Sequence, residues 1–159
     1  ETQLKIYEKN KNIKFIYSNF FILKQSSNKI FKRSNKKLAS GEITQLLLNN
    51  YNIGLLTAMI KKDIFNHDKF DEKYEIIGDF DFVIKLSQKF KLHCIQEPLA
   101  TYRIHGSNLS LKRIDNHVKE LEYWIDINRK KFVKLGYSLT RQRIYLLQLR
   151  IKSFFKNFM

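Results

Sequence analysis

Gly78-Asp79-Phe80-Asp81 places two carboxylates two residues apart, and the chain turns helical behind them. A carboxylate at the mouth of a helix can do either of two jobs. It can accept hydrogen bonds from the free N–H groups of the first turn, where the helix dipole favours negative charge. Held in one direction and facing a cleft, it can instead take a proton from a hydroxyl group as a general base. The residues alone leave both open for Asp79. Asp81 reads as a partner of the helix dipole and of solvent. Gly78 lets the chain turn sharply before the helix. Phe82, Val83, Leu86 and Phe90 recur at helical spacing and predict a helix over 79–90.

Other residues with chemical potential carry weaker patterns. His117, Glu120 and Glu122 lack a recognised ligand spacing to a second histidine and read as a polar helix face. His67 and His93 have no evident partner in the sequence. Cys94 is the single cysteine, so no internal disulfide forms, and its setting in LHCI reads as a small buried hydrophobe.

These residues need a scaffold, and the composition provides for one. The 159 residues suit one domain, and 43% hydrophobic with 14% aromatic content excludes a disordered tail. Thirty lysines and arginines against 15 acids give a net charge of +15, which favours anionic partners: nucleotides, nucleic acid or an anionic membrane. The runs KNKNIK and KIFKRSNKK read equally as solvated turns. No apolar run is long enough to span a bilayer. The chain opens on Glu1 inside a helical pattern, so it is expected to be a piece of a longer protein.

The pattern predicts the end of a helix over 2–10, a buried strand over IKFIYSNFFILK (13–24) and a returning strand at IFKR (30–33). EITQLLLNN (42–50) reads as a short helix with Ile43, Leu46 and Leu47 on one face. IGLLTAMIKK (53–62) reads as a strand, and KDIFNHDKFDEKYEII (62–77) as a short helical turn and then a loop. LHCI (92–95) is a short strand, Glu97-Pro98 a turn and LATYRIH (99–105) another strand. Ser107, Asn108 and Ser110 fall in a polar loop. Ile114, Val118, Leu121, Ile125 and Phe132 share one face of a long helix over 112–135, with Gly136 as its stop, and a last helix follows over 140–157. The class is α/β.

Residues 70–110, FDEKYEIIGDFDFVIKLSQKFKLHCIQEPLATYRIHGSNLS, resemble the C-terminal half of the family 2 glycosyltransferase catalytic domain. The family's motifs are matched by Phe70-Asp71-Glu72, Gly78-Asp79-Phe80-Asp81, Glu97-Pro98-Leu99 and Tyr102-Arg103-Ile104-His105. Upstream, residues 3–23 look like the helix and strand after the family's metal-binding aspartates, and 52–65 like its acceptor-side strand. The resemblance covers about residues 1–110. It implies the later part of a GT-A (Rossmann-like) domain with mixed strands over 1–110, and a C-terminal helical extension over 111–159.

The resemblance also implies an activity: inverting transfer of a sugar, hexosyltransferase-like, from a nucleotide-diphospho-sugar to a sugar or glycolipid acceptor, in polysaccharide or glycoconjugate biosynthesis. Asp79 matches the family's base, although Gly78 stands where the family has glutamate. Arg103 and His105 match positions near the diphosphate or metal. Gly54 and Thr57 match the acceptor side, and Asp81 a substrate contact. Mn²⁺ or Mg²⁺ is expected in the intact enzyme. The family's Asp-x-Asp metal site falls before residue 1, so the fragment alone is expected to be inactive.

Two other classes fit the composition. A basic nucleic-acid-binding module suits the charge, but no recognition-helix, zinc or RNP pattern is present. A membrane-surface or partner-binding protein is the other. The last helix, RQRIYLLQLRIKSFFKNF (141–158), has five basic residues and no acid, with Ile144, Leu147, Ile151, Phe154, Phe155 and Phe158 on one face. That face can lie on an anionic membrane, or pack on the core or on another chain. A cytoplasmic protein, peripheral at the inner face of the plasma membrane, is the matching expectation.

Overall fold

The computed structural model describes residues 1–106, 108 and 112–157. A short helix, α1 (Thr2–Lys9), precedes β1 (Phe15–Lys24), where the expected run of Phe, Ile and Tyr forms a strand. The first six residues of β1 are all buried, a setting that suits aromatic and β-branched side chains. Every other strand pairs on β1. β2 (Lys29–Lys32) returns antiparallel against residues 21–24, and β3 (Met59–Ile60) lies antiparallel against Phe15 and Ile16. β4 (Leu92–Ile104) runs parallel to β1 along its whole length. The result is a mixed four-stranded sheet, and with the helices the class is α/β, as expected.

The chain folds as two units that alternate along the sequence. The sheet unit takes Glu1–Thr44, Asn52–Lys69 and Lys85–His105. The helical unit takes Gln45–Tyr51, Phe70–Ile84 and the described residues from Gly106 onward.

Three expectations fail in the sheet unit or at its border. Residues 53–62 are not a strand. A 3₁₀ turn occupies Leu55–Thr57, and only Met59–Ile60 pair before a second 3₁₀ turn at Lys62–Asn66. Thr57 closes the first turn: its N–H donates to the Gly54 carbonyl at 2.9 Å, and its hydroxyl lies 2.8 Å from the same oxygen. Nor is Glu97-Pro98 a turn, because β4 is continuous through it. Ile95 pairs with Ser18 and Pro98 with Asn19, so Gln96 and Glu97 form a bulge between them. Proline is tolerated there because a bulge does not need its missing N–H. In the short helix α2 (Thr44–Asn49), Leu46 is exposed and Leu48 is buried with Ile43 and Leu47.

The outer edge of β4 is covered rather than open. Gln96 accepts from the Leu38 N–H (2.8 Å) and donates to its carbonyl (3.0 Å). Cys94 N–H donates to Ser40 Oγ, and Gly41 bridges to Leu92. Gly41 takes φ +99°, a conformation that favours glycine. These contacts use ladder groups that would otherwise invite another strand.

The helical unit is built from α2, most of α3 (Gly78–Ser87), α4 (Ile114–Lys134) and α5 (Thr140–Asn157). Leu121, Trp124, Ile125 and Phe132 are the buried stripe of α4. Gly136 stops α4 as expected, at φ +78°. The Tyr137 N–H reaches back to the Phe132 carbonyl and the Gly136 N–H to that of Val133, with the Phe132 and Tyr137 rings 5.8 Å apart. This is a Schellman stop with its apolar contact. Gln45 then exchanges two bonds with the backbone of Ser138, and Gln142 donates to the Leu48 carbonyl, fixing the α4–α5 turn on α2.

Candidate active site

Helix α3 starts at Gly78, so Asp79 sits inside its first turn. Its Oδ1 accepts the Phe80 N–H at 2.6 Å, so the carboxylate satisfies part of the helix start. It is also half-buried, and burial lifts its pKa above the ordinary value of 3.8. The backbone N–H bonds pull the other way and do not cancel the effect. The group is therefore a stronger base than an exposed aspartate.

Tyr51 belongs to the same site, although no local pattern in the sequence points to it. Its ring meets Phe80 edge to face at 5.4 Å. Burial first, and the charge of Asp79 second, push its phenol well above the usual value.

Asp81 is not the solvent partner that its position suggested. It is 2% exposed, and its Oδ1 accepts the indole N–H of Trp124 at 2.9 Å. Two residues along a helix is about 200° of rotation, so Asp79 and Asp81 leave the helix in nearly opposite directions. Phe80 packs on Trp124 at 4.8 Å between them.

Glu120 was expected to be part of a polar face, but it organises this helix start. Its carboxylate accepts three consecutive backbone N–H groups, from Glu75 (3.0 Å), Ile76 (2.9 Å) and Ile77 (3.1 Å). Those residues lead directly into Asp79. A separation of more than 40 residues hides such a link from local pattern reading. Glu120→Ala is expected to cost about 2 kcal/mol, as the loss of charge-assisted bonds does; chemical denaturation measures it. Glu122 instead pairs with Arg150, and His117 lies against the Tyr145 ring at 5.7 Å, where burial lowers its pKa.

The remaining candidates lie in the sheet unit. The Thr57 hydroxyl is buried and accepts the Ser18 N–H at 3.3 Å, so it ties the 3₁₀ turn to β1. Gly54 is filled on its Cβ side: an added methyl would stand 2.6 Å from Leu56 Cδ2 and 2.9 Å from the Phe20 ring. Gly54→Ala is expected to cost about 1 kcal/mol by overpacking, since Leu56 can shift more easily than Phe20; a urea titration would show it. Arg103 is exposed on β4 opposite Leu23, and half-buried His105 follows that strand. Ser18 and Leu23 are five residues apart on β1, so Thr57 and Arg103 are separated by roughly 16 Å along the strand. Asn19 is buried and holds the backbone of Ser34 through both ends of its amide. Burial pushes the Cys94 thiol up to about 11, in keeping with a packing role. Ser107 and Ser110 lie outside the described residues.

Among the described residues, no three His, Cys, Asp or Glu side chains gather to hold a metal ion. His105 therefore belongs to no such group among the described residues.

The chain is similar to an uncharacterized glycosyltransferase of Methanocaldococcus jannaschii, with 28% identity over 115 residues. The match takes in 72% of this chain and 40% of that protein. The chain thus spans well under half the length of the curated relative. No family model matches the chain, and no solved structure does.

Proposed function

We propose that the intact protein is an inverting glycosyltransferase in which Asp79 is the general base. The observation that carries this reading is a desolvated carboxylate at the start of a buried helix, in a chain similar to a glycosyltransferase. Sugar hydroxyls are weak nucleophiles and need a base. Asp79 takes the proton of the acceptor hydroxyl as its oxygen attacks the anomeric carbon of a nucleotide-diphospho-sugar. The bond from that carbon to the diphosphate breaks, and the electron pair leaves with the diphosphate. Attack from the opposite face inverts the configuration. In this reading the sheet is the later part of a GT-A domain, and Glu120, Trp124 and Asp81 fix the helix that aims the base.

The test is nucleoside diphosphate release by the full-length protein across a panel of UDP- and GDP-linked sugars, in buffer containing Mn²⁺ or Mg²⁺. Release that depends on an added sugar or glycolipid acceptor supports the proposal. Failure with every donor and acceptor overturns it.

A further inference from the structure

We infer that the outward face of α5 docks on an anionic phospholipid surface. One side of the helix is committed to the fold. Gln142, Leu146 and Leu149 are buried, and Arg150 is paired with Glu122 of α4. The opposite side carries Ile144, Leu147, Ile151, Phe154 and Phe155, each between 45% and 63% exposed. At 100° per residue these five fall within an arc about 100° wide, facing away from the buried residues. Large apolar side chains scattered on a surface need no explanation, but a continuous stripe of them marks a contact.

Charge decides what covers the stripe. The helix has five basic residues and no acid. Arg143 and Arg150 border the stripe on one side, and Arg141 and Lys152 on the other. Arg150 shares its charge with Glu122, and the others bring theirs to the surface. A second copy of this face would set cations against cations. A bilayer with anionic headgroups offers opposite charge along both borders and hydrocarbon beneath the middle. The long Arg and Lys stems let the charges stay at headgroup level while the Ile, Leu and Phe side chains sink. No helix among the described residues is long and apolar enough to cross a membrane, so α5 would lie in the plane of the interface.

The chain's net charge of +15 would by itself draw it to anionic vesicles, so the test must separate burial from simple attraction. The double variant Leu147→Gln/Ile151→Gln keeps every charge and changes only exposed positions. The 159-residue chain and this variant are sedimented with vesicles of phosphatidylcholine alone and of phosphatidylcholine with phosphatidylglycerol. Wild type is expected to pellet with the anionic vesicles only, and the variant to lose at least about tenfold in partitioning. Phe154→Gln/Phe155→Gln repeats the test at the other end of the stripe, and thermal melts check that both variants fold. Equal pelleting of wild type and both variants means adsorption by charge alone and overturns the proposal. So does self-association in sedimentation velocity that the variants abolish while vesicle binding is absent, because a second copy would then own the face.

Discussion

Asp79→Asn is expected to slow glycosyl transfer by the intact protein about 10²- to 10⁴-fold, the usual contribution of a positioned general base. The fold is expected to melt at the same temperature or slightly higher. The two outcomes come from one cause. Burial raises the pKa of Asp79, so the native state holds this proton to a higher pH than the unfolded chain does. Its contribution to stability is complete below the unfolded value near 3.8 and is lost as pH rises through the folded value. Above that folded value the ionised carboxylate costs stability, and asparagine does not. Asparagine also accepts the Phe80 N–H and serves helix starts as well as aspartate does. If Asp79 served only the helix, the substitution would leave transfer intact, and a fully active Asp79→Asn enzyme would remove the base from the mechanism. In wild type, kcat/KM should fall on the acid side as Asp79 takes up its proton, with the inflection above 3.8. The asparagine variant should lack that limb.

The parts of this fold that are legible in sequence are those set by near neighbours. Phe15 to Phe20 read as a strand because Phe, Ile and Tyr dominate the run around Ser18 and Asn19. Gly136 read as a stop because only a few backbone conformations end a helix there. Illegible features depend on partners far along the chain. Pro98 looks like a turn until β1 is seen to run beside it, where a bulge absorbs it. Leu46 and Leu48 exchange places because a six-residue helix samples too little of its period to fix a face. At the candidate site, helical spacing was enough to find Asp79 at a helix start. It could not show that Asp81 is buried on Trp124, that Tyr51 lies near Asp79, or that Glu120 holds residues 75–77.

That Asp81–Trp124 link leads to the second large effect: Trp124→Ala is expected to destabilise the protein by about 3–5 kcal/mol. Trp124 is the sole tryptophan and is 1% exposed, with Phe80 and Phe132 rings against it at 4.8 and 5.5 Å. Truncation leaves a cavity and also withdraws a hydrogen-bond donor from a buried carboxylate. Trp124→Phe weights the hydrogen-bond term more heavily, since it keeps a six-membered ring in place and loses the indole N–H together with the smaller fused ring. That variant is expected to lose about 1–3 kcal/mol in urea denaturation followed by circular dichroism. Adding Asp81→Asn should then cost less than it does in wild type, because the charge that needed the indole is gone. Strict additivity of the two changes would show that the 2.9 Å bond does not couple them. On the proposed function, the bond acts through direction. Asp79 and Asp81 lie about 200° apart around one helix, so whatever anchors Asp81 inward also sets where Asp79 points. Trp124→Phe is thus expected to lower kcat of the intact enzyme at saturating donor while the pH inflection assigned to Asp79 persists, the pattern of a misaimed base rather than an absent one.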